Sequence, residues 1–402
     1  MLLNYNNKKS EKEILDSPVI TELLYVAGQK DCKNKLIHSD NYQALKILLE
    51  KYKLKSKVDF VYIDPPFSTN NIFKIGKDRA NAISYSNQDE TAYSDLLQGA
   101  DFIEFLRERL LLLRELMSDK ASIYLHIDYK IGHYVKVLMD EVFGINNFRN
   151  DITRIKCNPK NFSRKAFGNI KDLVLFYSKT DEYIWNDPKR TLNEDDLKRL
   201  YKKVDNNGRY YTTVPLHAPG ETRDGPTGKP WRAMLPPKGR HWRCDPKKLE
   251  ELDKSGLIEW SSNGVPRKII YAEDAKENGV RLQDILEYKD SQIPSYPTEK
   301  NIEFLKLLIN TSSDSDSIVL DSFCGSGTTL VAAKEMGRHW IGIDESKHAI
   351  EVAKKRIDKT PNDMFTANYE LLSSKELYEQ KANDKTSKHK MEIYNNRMYA
   401  GK

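Results

Sequence analysis

Short apolar runs of strand character alternate with runs of helical period at both ends of this chain, and the alternation breaks only in the middle. A strand-loop-helix unit covers 36–52, where Leu45, Leu48 and Leu49 recur at helical spacing behind Asp40 and Asn41, both able to cap a helix. Val58-Asp59-Phe60-Val61-Tyr62-Ile63 reads as the next strand. A polar excursion without clear period fills 70–98, and 101–117 is an amphipathic helix with Phe102, Phe105, Leu106, Leu110, Leu113 and Met117 on one face. Strand 122–127 and helix 132–143 follow. After Pro297 the rhythm returns as helix 301–309, strand 317–321, helix 328–336, strand 339–344 and helix 346–357. Such alternation specifies an α/β domain whose parallel sheet is covered on both sides.

Between 152 and 291 prolines, glycines, tryptophans and basic residues crowd into short irregular segments, as expected of a second domain inserted into the first. The tail from Thr360 is polar and lysine-rich, without a core signal. The expected organisation is therefore 1–151 and 292–359 as two parts of one domain, 152–291 as the insert, and 360–402 as a loosely attached extension. With 39% hydrophobic and 31% charged residues the chain has the composition of a folded protein, and its net charge of +6 permits a nucleic-acid partner without requiring one. No apolar run is long enough to span a bilayer, and the N-terminus lacks the features of a signal peptide. The four cysteines show no C-x-x-C pairing, which argues against a disulfide framework or a metal site and for a reducing cytoplasm.

Two loops carry chemistry. Asp321-Ser322-Phe323-Cys324-Gly325-Ser326-Gly327-Thr328 joins a strand to a helix start. Its glycines allow close backbone approach to a ligand, and the helix offers unpaired N–H groups. The next strand ends at Asp344, where an acid can accept hydrogen bonds from ribose hydroxyls. The third glycine of a dinucleotide fingerprint is missing, since Leu330 stands there; no Gly-Lys-Ser/Thr marks a triphosphate loop, and Cys324 and Thr328 exclude a nucleophile elbow. A cofactor with a nucleoside but no phosphates fits, S-adenosylmethionine being one; a plain glycine turn is the competing reading.

The second loop is Asp64-Pro65-Pro66-Phe67, placed where the strand 58–63 must stop because two prolines cannot continue a ladder. An exocyclic amino nitrogen is a weak nucleophile because its lone pair is delocalised into the ring. Acceptors for its two hydrogens would localise that pair. The carboxylate of Asp64 and the carbonyl of Pro65, held stiff by Pro66, can be those acceptors, and Phe67 offers a face on which an extruded base stacks. Taken alone, the same residues also suit an ordinary turn.

In this combination the chain resembles the beta class of DNA amino-methyltransferases, in particular the modification-subunit type. The catalytic motif, Asp64-Pro65-Pro66-Phe67, precedes the cofactor motif, Phe323-Cys324-Gly325-Ser326-Gly327, as in that family. Ser39-Asp40-Asn41, Ser122-Ile123-Tyr124-Leu125-His126-Ile127-Asp128-Tyr129, Pro237-Lys238-Gly239-Arg240-His241-Trp242, Tyr296-Pro297-Thr298-Glu299-Lys300 and Trp340-Ile341-Gly342-Ile343-Asp344 match further family segments. The resemblance implies a Rossmann-like, doubly wound, S-adenosylmethionine-dependent fold with an inserted target-recognition domain. It implies that Asp64 holds the amino group and that Phe67 stacks on the base. Asp321, Phe323, Gly325, Gly327 and Thr328 would then line the cofactor's methionine end, Thr298 and Lys300 would lie near its carboxylate, Asp344 would bind the ribose and Asp40 the cofactor's adenine. Asp rather than Ser before Pro-Pro points to adenine in double-stranded DNA, with N4 of cytosine as the alternative, and with a non-catalytic DNA-binding specificity protein as the reading from another class. A separate restriction subunit and a homodimer are the partners such a family suggests. Phe67, Asn301, Ser322 and Cys324 depart from the family's commoner Tyr, Pro, Pro and Ala.

In the insert, Trp231-Arg232 and Lys238-Gly239-Arg240-His241-Trp242-Arg243 interleave bases with aromatics. Trp231, Arg232, Lys238, Arg240, Trp242 and Arg243 are accordingly the expected DNA contacts. His126 and Asp128 lie on one side of a strand without a nucleophile motif, and Asp284 with Glu287-Tyr288-Lys289 is too short a pattern to mark a nuclease.

Overall fold

A computed structural model describes residues 3–66, 72–76, 79–81, 90–94, 99–159, 163, 165–291, 299–361 and 368–380. They divide into two compact units, one formed by Met1–Asp187 with Gln283–Lys402 and the other by Pro188–Leu282.

The first unit is built on a ten-stranded sheet. In chain order its strands are β1 (Leu23–Gly28), β2 (Lys35–His38), β3 (Val58–Ile63), β4 (Met117–Ile127), β5 (Phe148–Ile155), β6 (Lys171–Ser178), β7 (Ile285–Glu287), β8 (Ile318–Asp321), β9 (His339–Asp344) and β10 (Glu370–Ser374). Their order across the sheet is β1-β10-β2-β9-β8-β3-β4-β6-β5-β7. From β10 to β4 every neighbouring pair is parallel. A short helix, Glu11–Leu15, precedes β1, and six more are α1 (Asn41–Glu50), α2 (Gly99–Leu116), α3 (Gly132–Phe143), α4 (Ile302–Ser312), α5 (Thr328–Glu335) and α6 (Lys347–Lys359). All six lie between sheet strands in the chain, so the doubly wound α/β architecture expected from the alternation is present. Strand β3 shows why: Val58, Phe60, Val61, Tyr62 and Ile63 are all buried, the near-continuous pattern of a strand covered on both faces.

Parallel strands end on one edge, and here five neighbours end in acids. Reading from β2 to β4, these are Asp40, Asp344, Asp321, Asp64 and Asp128. In open α/β sheets that carboxyl edge is where ligands bind.

Three expectations change. Residues 70–98 hold a small antiparallel sheet of Arg79–Asn81, Ile72–Gly76 and Glu90–Ser94. The tail from Thr360 contributes β10, an interior strand paired with both β1 and β2; two leucines in a polar setting were too faint a pattern to announce it. The compact insert covers Pro188–Leu282 rather than the whole of 152–291, because β5, β6 and β7 join the large sheet.

The second unit has a four-stranded antiparallel sheet of Lys203–Val204, Tyr210–Pro215, Pro266–Tyr271 and Ile258–Trp260. Its own core gathers Leu216, Trp231, Trp242, Leu249 and Ile258. Among the described residues no helix is long and apolar enough to cross a membrane.

Candidate active site

The glycine loop connects β8 to α5. Gly325 and Gly327 take positive φ angles of 50° and 77°, and a Cβ on Gly327 would stand 2.9 Å from that of Ala353. Only glycine meets both demands there. Asp321 fixes the start of the loop: one carboxylate oxygen accepts from the Phe323 amide at 3.0 Å and the other from the Thr329 hydroxyl at 2.6 Å. Burial pushes its carboxyl up to about 7 in spite of these bonds. Asp344 binds the Gly325 amide at 2.8 Å through one oxygen and the Ser346 amide at 2.8 Å through the other, and burial pushes it up to about 6. Each of its oxygens retains a lone pair for a ligand hydroxyl.

Asp40 caps α1 through the Gln43 amide at 3.0 Å and pairs with Arg109 at 3.1 Å. Its neighbour Asn41 accepts from Arg109 at 2.6 Å and donates to the Ser322 carbonyl at 2.9 Å. The Arg109 guanidinium lies 3.6 Å from the centre of the Phe105 ring, which in turn touches Phe323. Arg109 and Asn41 thus join β2, α2 and the glycine loop. Asp40 acts first as a cap, with its side chain still 43% exposed toward solvent or a ligand.

Asp64 follows β3, immediately beside β8: Val319 pairs with Phe60 and Leu320 with Val61. This register sets the catalytic-type loop next to the glycine loop at the same edge. Pro65 is buried and Pro66 half-buried. Phe67 and Thr298 lie outside the described residues. The Lys300 ammonium donates to Asp64 Oδ2 at 2.5 Å. Asp64 Oδ1 is buried without a hydrogen-bond partner among the described residues, an acceptor oriented by the fold and left for something else.

A second strut ties the two loops together. Arg356 of α6 donates to the Ser326 carbonyl at 3.1 Å, the Ser326 hydroxyl at 2.7 Å and the Thr328 hydroxyl at 2.9 Å, and pairs with Glu299 at 2.8 Å. Glu299 precedes Lys300, so the glycine loop, the 299–300 dipeptide and Asp64 form one connected set. Sequence reading missed Arg109 and Arg356 and took Asn41 only as a helix cap and motif member; an arginine on an otherwise apolar helix face was the available signal for Arg109. Asn301, where the resembled family has proline, caps α4 by accepting from the Glu303 and Phe304 amides. The cysteine and serine departures also have places: Cys324 is buried with its amide on the Ile343 carbonyl, and the Ser322 hydroxyl is buried without a partner among the described residues.

These donors and acceptors fit a nucleoside-bearing cofactor with a carboxylate. Acids stand where hydroxyls would be held, Lys300 supplies a cation, and the hydroxyls of Ser39 and Ser322 are buried without partners among the described residues. Among the described residues no group of three or more His, Cys, Asp or Glu is arranged to hold a metal ion.

In the second unit the expected contacts separate into two kinds. Trp231 and Trp242 are 3% and 2% exposed and pack edge to face at 6.2 Å, so they serve the core rather than a surface. Arg232 is held by both oxygens of Glu250 and by Asp253. Lys238, Arg240 and Arg243 are exposed. Arg240 approaches the His217 ring nitrogen at 3.1 Å, and burial together with the charges of Arg240, Arg243 and Arg267 pushes His217 down. His217 and Arg267, distant in sequence, are thereby added to this basic surface.

Comparison with known proteins gives concordant matches. A family model described as DNA methylase, for N6 and N4 enzymes, matches residues 58–355. The type II methyltransferase M.EcaI of Enterobacter cloacae is 40% identical over 365 residues, covering 88% of this chain and 77% of that protein. The StyLTI Mod subunit, a type III restriction-modification enzyme of Salmonella typhimurium, is 25% identical over 82% of this chain, which spans only 55% of that relative. Among solved structures, the M1.HpyAVI–SAM complex overlaps 80% of this chain and 99% of its own at 17% identity, with a TM-score of 0.42. An overlap that loose carries no weight beside the sequence matches.

Proposed function

The chain belongs to the N6/N4 DNA methylase family, and from that premise we propose that it methylates the N6 amino group of adenine in duplex DNA. Its cofactor, S-adenosylmethionine, supplies an electrophilic methyl group on a sulfonium. Asp64 accepts one amino hydrogen on Oδ1 while Lys300 holds Oδ2, and the Pro65 carbonyl takes the other hydrogen. The nitrogen lone pair then localises and becomes nucleophilic. Phe67 stacks on the extruded base. On the cofactor side, Asp344 holds the ribose, Asp40 lies at the adenine, and Asp321, Phe323, Gly325, Gly327 and Thr328 surround the methionine end, with Thr298 and Lys300 toward its carboxylate. The second unit is the target-recognition domain, and Lys238, Arg240 and Arg243 meet the DNA. The family premise also makes a separate restriction subunit and self-pairing the partners to look for.

The observation that carries this reading is the buried Oδ1 of Asp64, without a hydrogen-bond partner among the described residues, at the end of the strand next to the one that leads into the glycine loop. A carboxylate oxygen kept dry and unpaired costs stability, which is tolerable where a substrate donor will fill it. Incubation with labelled cofactor and bacterial DNA, followed by digestion to nucleosides, separates the alternatives. Label on N6-methyldeoxyadenosine supports the proposal; label on N4-methyldeoxycytidine moves the target to cytosine; no label with retained DNA binding indicates a specificity protein without transfer. Asp64→Ala should reduce transfer by roughly a hundredfold or more while DNA affinity stays within a few-fold. Transfer close to wild type in that variant would remove Asp64 from the chemistry.

A further inference from the structure

His126 lies in the middle of the sheet, on β4, and is fully buried. Register places it between two carboxylates: Tyr62 and Ile63 pair with Tyr124 and Leu125 on one side, and Val174 pairs with His126 on the other. Its Nε2 is 3.1 Å from Asp172 Oδ2, and its Nδ1 is 4.0 Å from Asp64 Oδ1, the unpartnered oxygen. The Tyr62 hydroxyl is 2.8 Å from the same Nδ1. Asp172 is anchored in turn by the Lys156 ammonium at 2.6 Å.

A histidine needed only to fill space would be replaced by an apolar side chain at no loss, because buried polar groups contribute little beyond what packing supplies. This one instead continues from a surface lysine to the site carboxylate. Against the upward pull of burial, the hydrogen bonds from His126 and Lys156 and the charge of Lys156 hold Asp172 well below the usual carboxylate range. Burial pushes His126 down, against the hydrogen bond it donates to Asp172, so its resting form is neutral. With Nε2–H donated to Asp172, Nδ1 accepts from the Tyr62 hydroxyl and faces Asp64 Oδ1 across 4.0 Å, able to take a proton from that carboxyl once it is protonated.

Resting on the reading above, we propose that His126, oriented by Asp172, is a positioning residue for Asp64 and takes up the proton shed by the target amino group. As the nitrogen–methyl bond forms and the sulfur–methyl bond breaks, the amino nitrogen becomes positively charged. One N–H bond then breaks toward Asp64 Oδ1, leaving a neutral methylated amine and a protonated carboxyl. That proton passes to His126 Nδ1, Asp64 regains its charge, and the imidazolium lies between Asp64 and Asp172. The Tyr62 hydroxyl turns from donor to acceptor as this happens. The groups that set the imidazole's charge are Asp64 and Tyr62 from β3 and its loop, Asp172 from β6, Arg154 from β5 and Lys156 just after it, and Lys300 ahead of α4.

The test uses the full chain with His126→Asn, His126→Gln and Asp172→Asn. Single-turnover methyl transfer should fall by about 10²-fold, while affinities for S-adenosylmethionine and for DNA change less than threefold. The wild-type rate should fall away at acid pH as the imidazole charges, and both His126 variants should lack that limb. Ring-nitrogen NMR of the wild type, which needs no turnover, should show a neutral imidazole at pH 7 with its proton on Nε2. A folded His126 variant with wild-type rate and pH profile overturns the proposal. So does an imidazole that is charged, or protonated on Nδ1, at neutral pH, even should every variant fail to fold. Absence of transfer by the wild type would instead sink the methylation reading on which the proposal rests.

Discussion

Asp321 shows how a single buried acid records the design of this site. Its carboxyl is pushed up to about 7 by burial, well above its ordinary value of 3.8. Between those limits the folded protein holds a proton that the unfolded chain has released. Stability contributed by that proton is complete below pH 4 and is lost as pH rises toward 7. Asp321→Asn cannot titrate, so the stability of wild type relative to this variant should decline from pH 5 to pH 8. Urea unfolding at the two values measures it, and a pH-independent difference would show that the carboxyl titrates as in water. At this scale much of the site was legible. The motifs containing Asp64, Asp321, Asp344 and the two glycines announce themselves because their chemistry is local, each residue being constrained by its immediate neighbours. Arg109, Arg356 and Asp172 did not, because each owes its position to a partner dozens of residues away; His126 drew notice beside Asp128 but not as a partner of Asp172 or Asp64. Trp231 and Trp242 misled for the converse reason: tryptophan beside arginine has the same local pattern whether it stacks on a base or fills a core, and here both rings are buried.

Elements obey a similar division. The strands β3, β8 and β9 and the helices after them could be read because burial on both faces leaves long apolar runs. Strand β10 is different. Leu372 is 1% exposed and Leu371 half-buried, yet Glu370, Ser373 and Ser374 are also buried. Glu370 is matched by Lys35 of β2 at 2.7 Å, so this strand is held partly by a buried ion pair that composition disguises as solvent-facing sequence. Stopping the chain at Thr360 would expose the edge of β2, strand off β1 and leave Lys35 buried without its partner. Removing one member of such a pair typically costs about 3–5 kcal/mol. The truncated protein should lose cooperative unfolding or aggregate, unlike the full chain. Equal melting temperatures for the two would mean that β10 contributes nothing to the sheet.

At the scale of the whole molecule, the second unit begins and ends at one point. Lys189 and Arg190 pair with Arg281 and Val280, and the Pro188 carbonyl accepts from the Leu282 amide at 3.2 Å. A segment whose ends already lie within hydrogen-bond distance can be removed without stretching the chain that carries it, and this one has a core of its own in Leu216, Trp231, Trp242, Leu249 and Ile258. Every described contact that joins the glycine loop to Asp64 belongs to the first unit. Replacing 188–282 by a short glycine-serine linker should therefore give a folded protein that binds S-adenosylmethionine within a few-fold of the full chain. The same protein should lose sequence-selective methylation of duplex DNA, since Lys238, Arg240 and Arg243 leave with the insert. Calorimetric titration with the cofactor and mapping of modified bases read the two halves of this expectation separately. Retention of the same methylated sequence after excision would place target recognition in the first unit, and loss of cofactor binding would mean that the sheet and its loops depend on the insert for their shape.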